Sequence, residues 1–168
     1  MFQELYRMLG KLYTNIPGLA ELWASTYQAR SFAEVPFAPL QKPLPQCRFS
    51  LITTGGVHRT DQQPFDMDDS RGDPTYRTIP ADTPREQLML THNYYDHSDA
   101  ARDLNILLPM ALFRELATHQ HIGSLASCYG FMGHIEPPHV ETLLHETAPQ
   151  VAGKLQQEQV DAVLLTPA

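Results

Sequence analysis

Cysteine is scarce in this 168-residue chain. Cys47 and Cys128 form neither a Cys-x-x-Cys pair nor a zinc-ligand spacing, so both read as small buried side chains in adjacent strands rather than as redox or metal groups. Lysine occurs only at Lys11, Lys42 and Lys154, the arginines are scattered, and the formal net charge is -7. Without a basic cluster, nucleic acid and anionic membrane surfaces are excluded as partners. No apolar run has the length needed to span a bilayer. Met1-Phe2-Gln3-Glu4 lacks the basic and apolar regions of a secretory signal, so the expected location is cytoplasmic.

What is present fits one globular unit, with 42% hydrophobic and 18% charged residues. Helical spacing of Phe2, Leu5, Met8, Leu9 and Leu12, then Leu19, Leu22 and Trp23, predicts an N-terminal helical segment over 1–33, broken at Pro17-Gly18. Four prolines in 34–46 predict an extended connector. Arg48–Thr54 is the first predicted strand, ended by Gly55-Gly56. A long irregular loop over 57–86 follows, anchored by Phe65, Met67, Tyr76 and Ile79. Leu88–Leu90 is a second strand, Ser98–Asp103 and Pro109–Gln120 are helical, and Ile122–Cys128 is a third strand. A helix from Pro138 to Glu158 carries a stripe of Val140, Leu143, Leu144, Val151 and Leu155, with Pro149 as a kink point. Val163-Leu164-Leu165 resembles a strand buried on both faces of a parallel sheet. Alternating strands and helices over 34–168 predict an α/β fold, a largely parallel sheet with flanking helices in a three-layer, Rossmann-like arrangement.

The histidines follow predicted strands. His58 comes after Gly55-Gly56, His92 and His97 come after Leu88–Leu90 together with Asp96 and Asp99, and His134 follows the third strand. Strands of a parallel sheet release their loops at one edge, where ligands bind in open α/β folds. His58, His92, Asp96, His97, Asp99 and His134 are therefore the candidate site residues. Histidine with carboxylate suits zinc, iron or manganese. However, His92-x4-His97 is not the i, i+4 pair of a helical metal motif, so whether a metal binds stays open. His97 and Asp99 also suit a simple capping role at a helix start. Gly55-Gly56 reads as a tight turn rather than an anion cradle. His119, His121, His139 and His145 read as surface residues.

Several ordered segments carry a resemblance: Val35–Leu40, Thr53-Thr54-Gly55-Gly56-Val57-His58, Gln63-Pro64-Phe65-Asp66-Met67, Gly72-Asp73-Pro74-Thr75-Tyr76-Arg77, Thr91–Asp99 and Phe131-Met132-Gly133-His134. Together, from about residue 34 onward, they resemble the selenoprotein B family of the glycine, sarcosine, betaine and D-proline reductases. The resemblance implies reductive cleavage of the C–N bond of an amino acid or N-methylated amino acid by a selenolate or thiolate. It places that selenocysteine or cysteine just after Ala168, so the chain is expected to be the amino-terminal part of a reductase subunit, inactive alone, in an incomplete domain. An in-frame UGA read as a stop, a shortened chain or a natural truncation would each give this end. Strands missing from the sheet would leave an apolar edge at Asp161–Pro167. The resemblance also implies other reductase subunits as partners, a pyruvoyl group on one of them in the glycine, sarcosine and D-proline systems, and a small amino-acid-like substrate. Association with copies of itself is an alternative partner arrangement. Histidines at the sheet edge would then stabilise the selenolate or protonate the departing amine, with Asp96 or Asp99 orienting one ring. A non-catalytic assembly module of the same family is the second reading, and a metal-dependent hydrolase using the His/Asp cluster the third.

Overall fold

The computed structural model describes residue 8, residues 16–26 and residues 38–167. Of the N-terminal helical segment, Met8 is helical and α1 (Leu19–Thr26) begins directly after the turn at Pro17-Gly18, where Gly18 takes φ +82°. The rest of that segment and the start of the connector lie outside the described residues. The later connector, from residue 38 to a 3-10 turn at Leu44–Gln46, runs exposed.

The fold is α/β, and its sheet is organised around β1 (Arg48–Thr53). The run Phe49-Ser50-Leu51-Ile52 has no polar face to show water. The strand therefore sits in the middle, with Leu51 in one core cluster and Ile52 packed against the other. On one side lie β5 (Ser124–Leu125) and β6 (Cys128–Gly130), both parallel to β1. Phe49 pairs with Leu125 and Ile52 with Tyr129, so the register slips by one residue between them. Ala126-Ser127 forms that bulge, held by the Ala126 amide on the Phe49 carbonyl and the Ser50 hydroxyl on the Ser127 carbonyl, 2.6 Å. The third strand expected over Ile122–Cys128 is thus displaced toward Gly130 and split.

On the other side, β7 (Ala162–Thr166) pairs parallel with β1 from Phe49↔Ala162 to Thr53↔Thr166. Among the described residues no strand covers its outer side, and Leu165 is 67% exposed. Val163 and Leu164 are exposed as well, so within this structure the strand is not buried on both faces. The apolar edge expected at Asp161–Pro167 is present.

Two expectations for the middle of the chain are corrected. Residues 57–86 are not one irregular loop: they hold β2 (Val57–Arg59) and β3 (Arg77–Ile79), and β3 pairs antiparallel with β6 at the sheet edge. β4 (Leu88–Leu90) does not join the parallel sheet but forms an antiparallel ribbon with β2. Gly56, at φ +73°, turns the chain out of the sheet at once, and the ribbon buries Val57 and Leu88 against Leu51.

That face is completed by α2 (Ser98–Arg102), a 3-10 turn at Leu104–Ile106 and α3 (Met110–Thr118). Pro109 is the residue preceding α3 rather than part of its first turn. The opposite face takes α4 (His139–Thr142), a π-helical turn (Leu143–Thr147) and α5 (Ala148–Gln157). Pro149 has no amide to give the His145 carbonyl, and the wide turn ends just ahead of it. The extra residue rotates the stripe: Thr147 turns inward onto the Pro74 carbonyl at 2.8 Å, and Leu144, expected inside, is exposed. Among the described residues no helix is long and apolar enough to cross a membrane.

Candidate functional site

The carboxyl ends of β1, β6 and β7 meet, and backbone hydrogen bonds lace the loops that leave them. The Thr54 amide bonds the Thr166 carbonyl, the Phe131 amide the Thr53 carbonyl, and the Gly56 amide the Phe131 carbonyl. Gly56 also accepts from the Thr91 amide, and Gly55 bridges Met132. A Cβ on Gly56 would stand 2.3 Å from the Thr91 carbonyl oxygen, so only glycine allows this approach. The Gly55 amide is taken by the Thr53 hydroxyl. With both amides spent inside the protein, the pair is a turn and not an anion cradle.

Four of the candidates belong to these loops, and three of them join one wall of rings. His134 stacks on Tyr94 with centroids 4.1 Å apart. Tyr94 meets the edge of His92 at 5.7 Å, His92 meets Tyr95 at 4.6 Å, and Tyr95 meets His97 at 5.8 Å. The two tyrosines were not among the sequence candidates; their only signal was their place between His92 and His97. Tyr95 is pinned by its hydroxyl, which donates to the Gly55 carbonyl at 3.0 Å, and burial pushes the phenol well above its ordinary range. His97 and His134 are half-buried. The His134 Nε2 donates to the Ser70 carbonyl at 2.9 Å, tying the wall to the long segment before β3.

His92 is 4% exposed. Its Nδ1 accepts the Tyr94 amide at 3.1 Å, and its Nε2 is buried with no hydrogen-bond partner. Burial, reinforced by the neighbouring His134 and His97, lowers its pKa to about 4, so the ring is neutral at physiological pH.

His58 differs. It lies inside β2 rather than after a strand, is fully buried, and has both nitrogens occupied. A carbonyl only accepts, so Nδ1 carries the proton toward the Arg59 carbonyl at 2.8 Å, and Nε2 accepts from the Thr91 hydroxyl at 2.8 Å. Burial lowers its pKa against the opposing pull of the Arg59 carbonyl.

Of the two carboxylates expected to orient a ring, Asp99 does not do so. That side chain is 77% exposed and paired with Arg102. Asp96 accepts the Ser98 amide at 3.1 Å and so supplies the turn at the start of α2, whereas His97, at the cap position, makes no side-chain capping bond. Among the described residues, no group of three or more His, Cys, Asp or Glu side chains could hold a metal ion. Both cysteines are buried free thiols, and burial pushes the Cys128 thiol up to about 12. Neither can act as a nucleophile from the sheet edge.

The family model described as glycine/sarcosine/betaine reductase selenoprotein B matches residues 11–168. The chain belongs to the selenoprotein B family. It is 35% identical over 131 residues to the D-proline reductase subunit gamma of Acetoanaerobium sticklandii, covering 77% of this chain and 52% of the relative. It thus spans about half the length of that relative. No solved structure matches it. The matched region contains every residue of the ring wall.

Proposed function

We propose that this chain is part of a reductase subunit that cleaves the C–N bond of a small amino acid or N-methylated amino acid, with the ring wall as the substrate-facing surface. The observation that carries this reading is the gathering of His92, His97 and His134 at the carboxyl edge of the sheet, inside the region matched to the family. Reductive cleavage needs two electrons and two protons, one proton going to carbon and one to nitrogen, with a dithiol oxidised to a disulfide. A selenolate or thiolate from outside Cys47 and Cys128 supplies the attack on carbon.

The residues of this chain divide the remaining work. His97 and His134 are half-buried imidazoles of the wall and serve to protonate the departing amine. His92 stays neutral and acts as a fixed donor. His58 holds the β2–β4 ribbon to Thr91 and takes no part in proton transfer. Other subunits of the reductase complete the assembly, including the pyruvoyl-bearing one where the substrate is glycine, sarcosine or D-proline.

The test is reconstitution with those subunits and a dithiol, followed by amine release from glycine, sarcosine, betaine and D-proline. His97→Ala and His134→Ala should each slow release at least about tenfold. Unchanged turnover in the double variant overturns the assignment. A second role has its own observation: the exposed Val163, Leu164 and Leu165 of β7 suit an assembly surface. Leu165→Lys should then weaken association with the other subunits while leaving thermal stability unchanged, and undiminished association would remove that role.

A further inference from the structure

We infer that His92 is the carboxylate anchor of this site, its Nε2–H donating to one carboxylate oxygen of an amino-acid-type ligand. The assignment rests on the reading of the ring wall as the substrate-facing surface, and it names the end of the substrate that the wall holds.

The argument begins with the tautomer. The backbone amide of Tyr94 can only donate, so the Nδ1 it faces at 3.1 Å must be the acceptor. A neutral imidazole with an accepting Nδ1 carries its one proton on Nε2. That Nε2–H is buried and has no partner. Leaving a buried donor unpaired is costly, and folded proteins satisfy nearly all such groups. His92 is therefore an exception, and it follows Thr91, whose amide bonds the Gly56 carbonyl in the turn at the carboxyl end of β1.

The ring is also held in place. A Cβ on Gly56 would lie 3.2 Å from the His92 Cβ, so the turn beside it is tightly packed, and Tyr94 and Tyr95 border the ring. The donor is already oriented, so binding requires only that the groups sealing Nε2 from solvent give way. The required partner is an acceptor, which excludes the ammonium end of an amino acid: ammonium has no lone pair to offer. The carboxylate does. His97 and His134, close enough to act on His92 electrostatically, add positive potential there whenever they are protonated.

The test uses histidine-labelled protein and long-range proton–nitrogen NMR spectra, with glycine, betaine and proline as probes. Acetate serves as a bare carboxylate, and trimethylamine and pyrrolidine as amines lacking one. The expected result is a saturable shift of His92 Nε2 with every carboxylate and none with the amines. His92→Ala should weaken amino-acid binding about tenfold or more, and His92→Gln, which retains a side-chain N–H, should recover part of it. If the alanine variant fails to fold, the wild-type spectra and the glutamine variant still decide. Finding the ring proton on Nδ1, or no Nε2 shift with any carboxylate, overturns the inference. Amino acids that shift His97 and His134 while leaving His92 unmoved would overturn it and leave the reductase reading intact. A shift with acetate that amino acids do not exceed would keep the anchor and count against that reading.

Discussion

Gly72 lies so close to His134 that a Cβ on it would stand 1.8 Å from the His134 carbonyl oxygen. Its φ of +85° disfavours any other residue as well. Two segments far apart in sequence are thereby pressed together beneath the ring that ends the wall. Gly72→Ala should cost about 3 kcal/mol or more through backbone displacement and strain. It should also slow turnover in the reconstituted enzyme, because His134 can no longer stack on Tyr94. Thermal melting and amine release measure the two effects.

Acid should weaken the fold in two stages. The folded His92 titrates near about 4, against 6.5 for an unperturbed ring. As pH falls below 6.5 the unfolded chain takes up a proton that the folded chain refuses. Stability is thus complete above pH 6.5 and declines down to pH 4, by roughly 3 kcal/mol from this ring alone. His58 shifts in the same direction and adds to the slope. Urea unfolding across this window should show the decline, and His92→Gln should flatten it. Below pH 4 the lowered carboxyls of Asp73, Glu158 and Asp161 take over.

Asp73 organises the segment between β2 and β3. Its carboxylate accepts the amides of Asp66 and Thr75 and the Thr75 hydroxyl, and Arg77 approaches it at 3.5 Å. Burial would raise its pKa, but hydrogen bonds from Thr75 and Asp66 hold it below the ordinary value. Arg77 lies over the Phe65 ring at 4.4 Å and also bonds the Gln63 and Pro64 carbonyls. Asp73→Ala leaves these groups unpaired and should cost about 3 kcal/mol. Limited proteolysis should then cut first within residues 61–76; an unchanged cleavage pattern would contradict this role.

Both thiols should be inert in the native protein. Cys47 is fully buried with its Sγ on the Lys42 and Pro43 carbonyls, and Cys128 lies inside β6. A thiol reagent at neutral pH should label neither until denaturant is added. Fast labelling of either would reopen the assignment of the nucleophile.

The sequence marks the long, uninterrupted signals. Phe49-Ser50-Leu51-Ile52, closed by two glycines, is a strand because such a run has few other ways to bury itself; Val163-Leu164-Leu165 is a strand as its apolar run suggests, although its side chains are exposed. β2 and β3 escape notice because three residues cannot establish an alternating pattern. The partner of Leu88–Leu90 was misjudged because its apolar side chains fit a ribbon as well as a parallel sheet. At the site, His92, His97 and His134 come together through Tyr94 and Tyr95, although β4, which precedes His92, lies outside the parallel sheet. Loop order does not reveal that His58 is sealed within a strand or that Asp99 faces water, since neither depends on spacing. The contact of Tyr94 with His134 crosses forty residues of chain and has no local signature.

The Arg48 amide, at the start of the central strand, bonds the Asp161 carboxylate 113 residues later. A ribosome adding about 5–20 residues each second leaves that strand without this neighbour for on the order of ten seconds. During that interval Leu51 and Ile52 are open to whatever sticky chains are near. Shielding the nascent β1 strand during that interval should therefore raise the yield of folded protein in a cell.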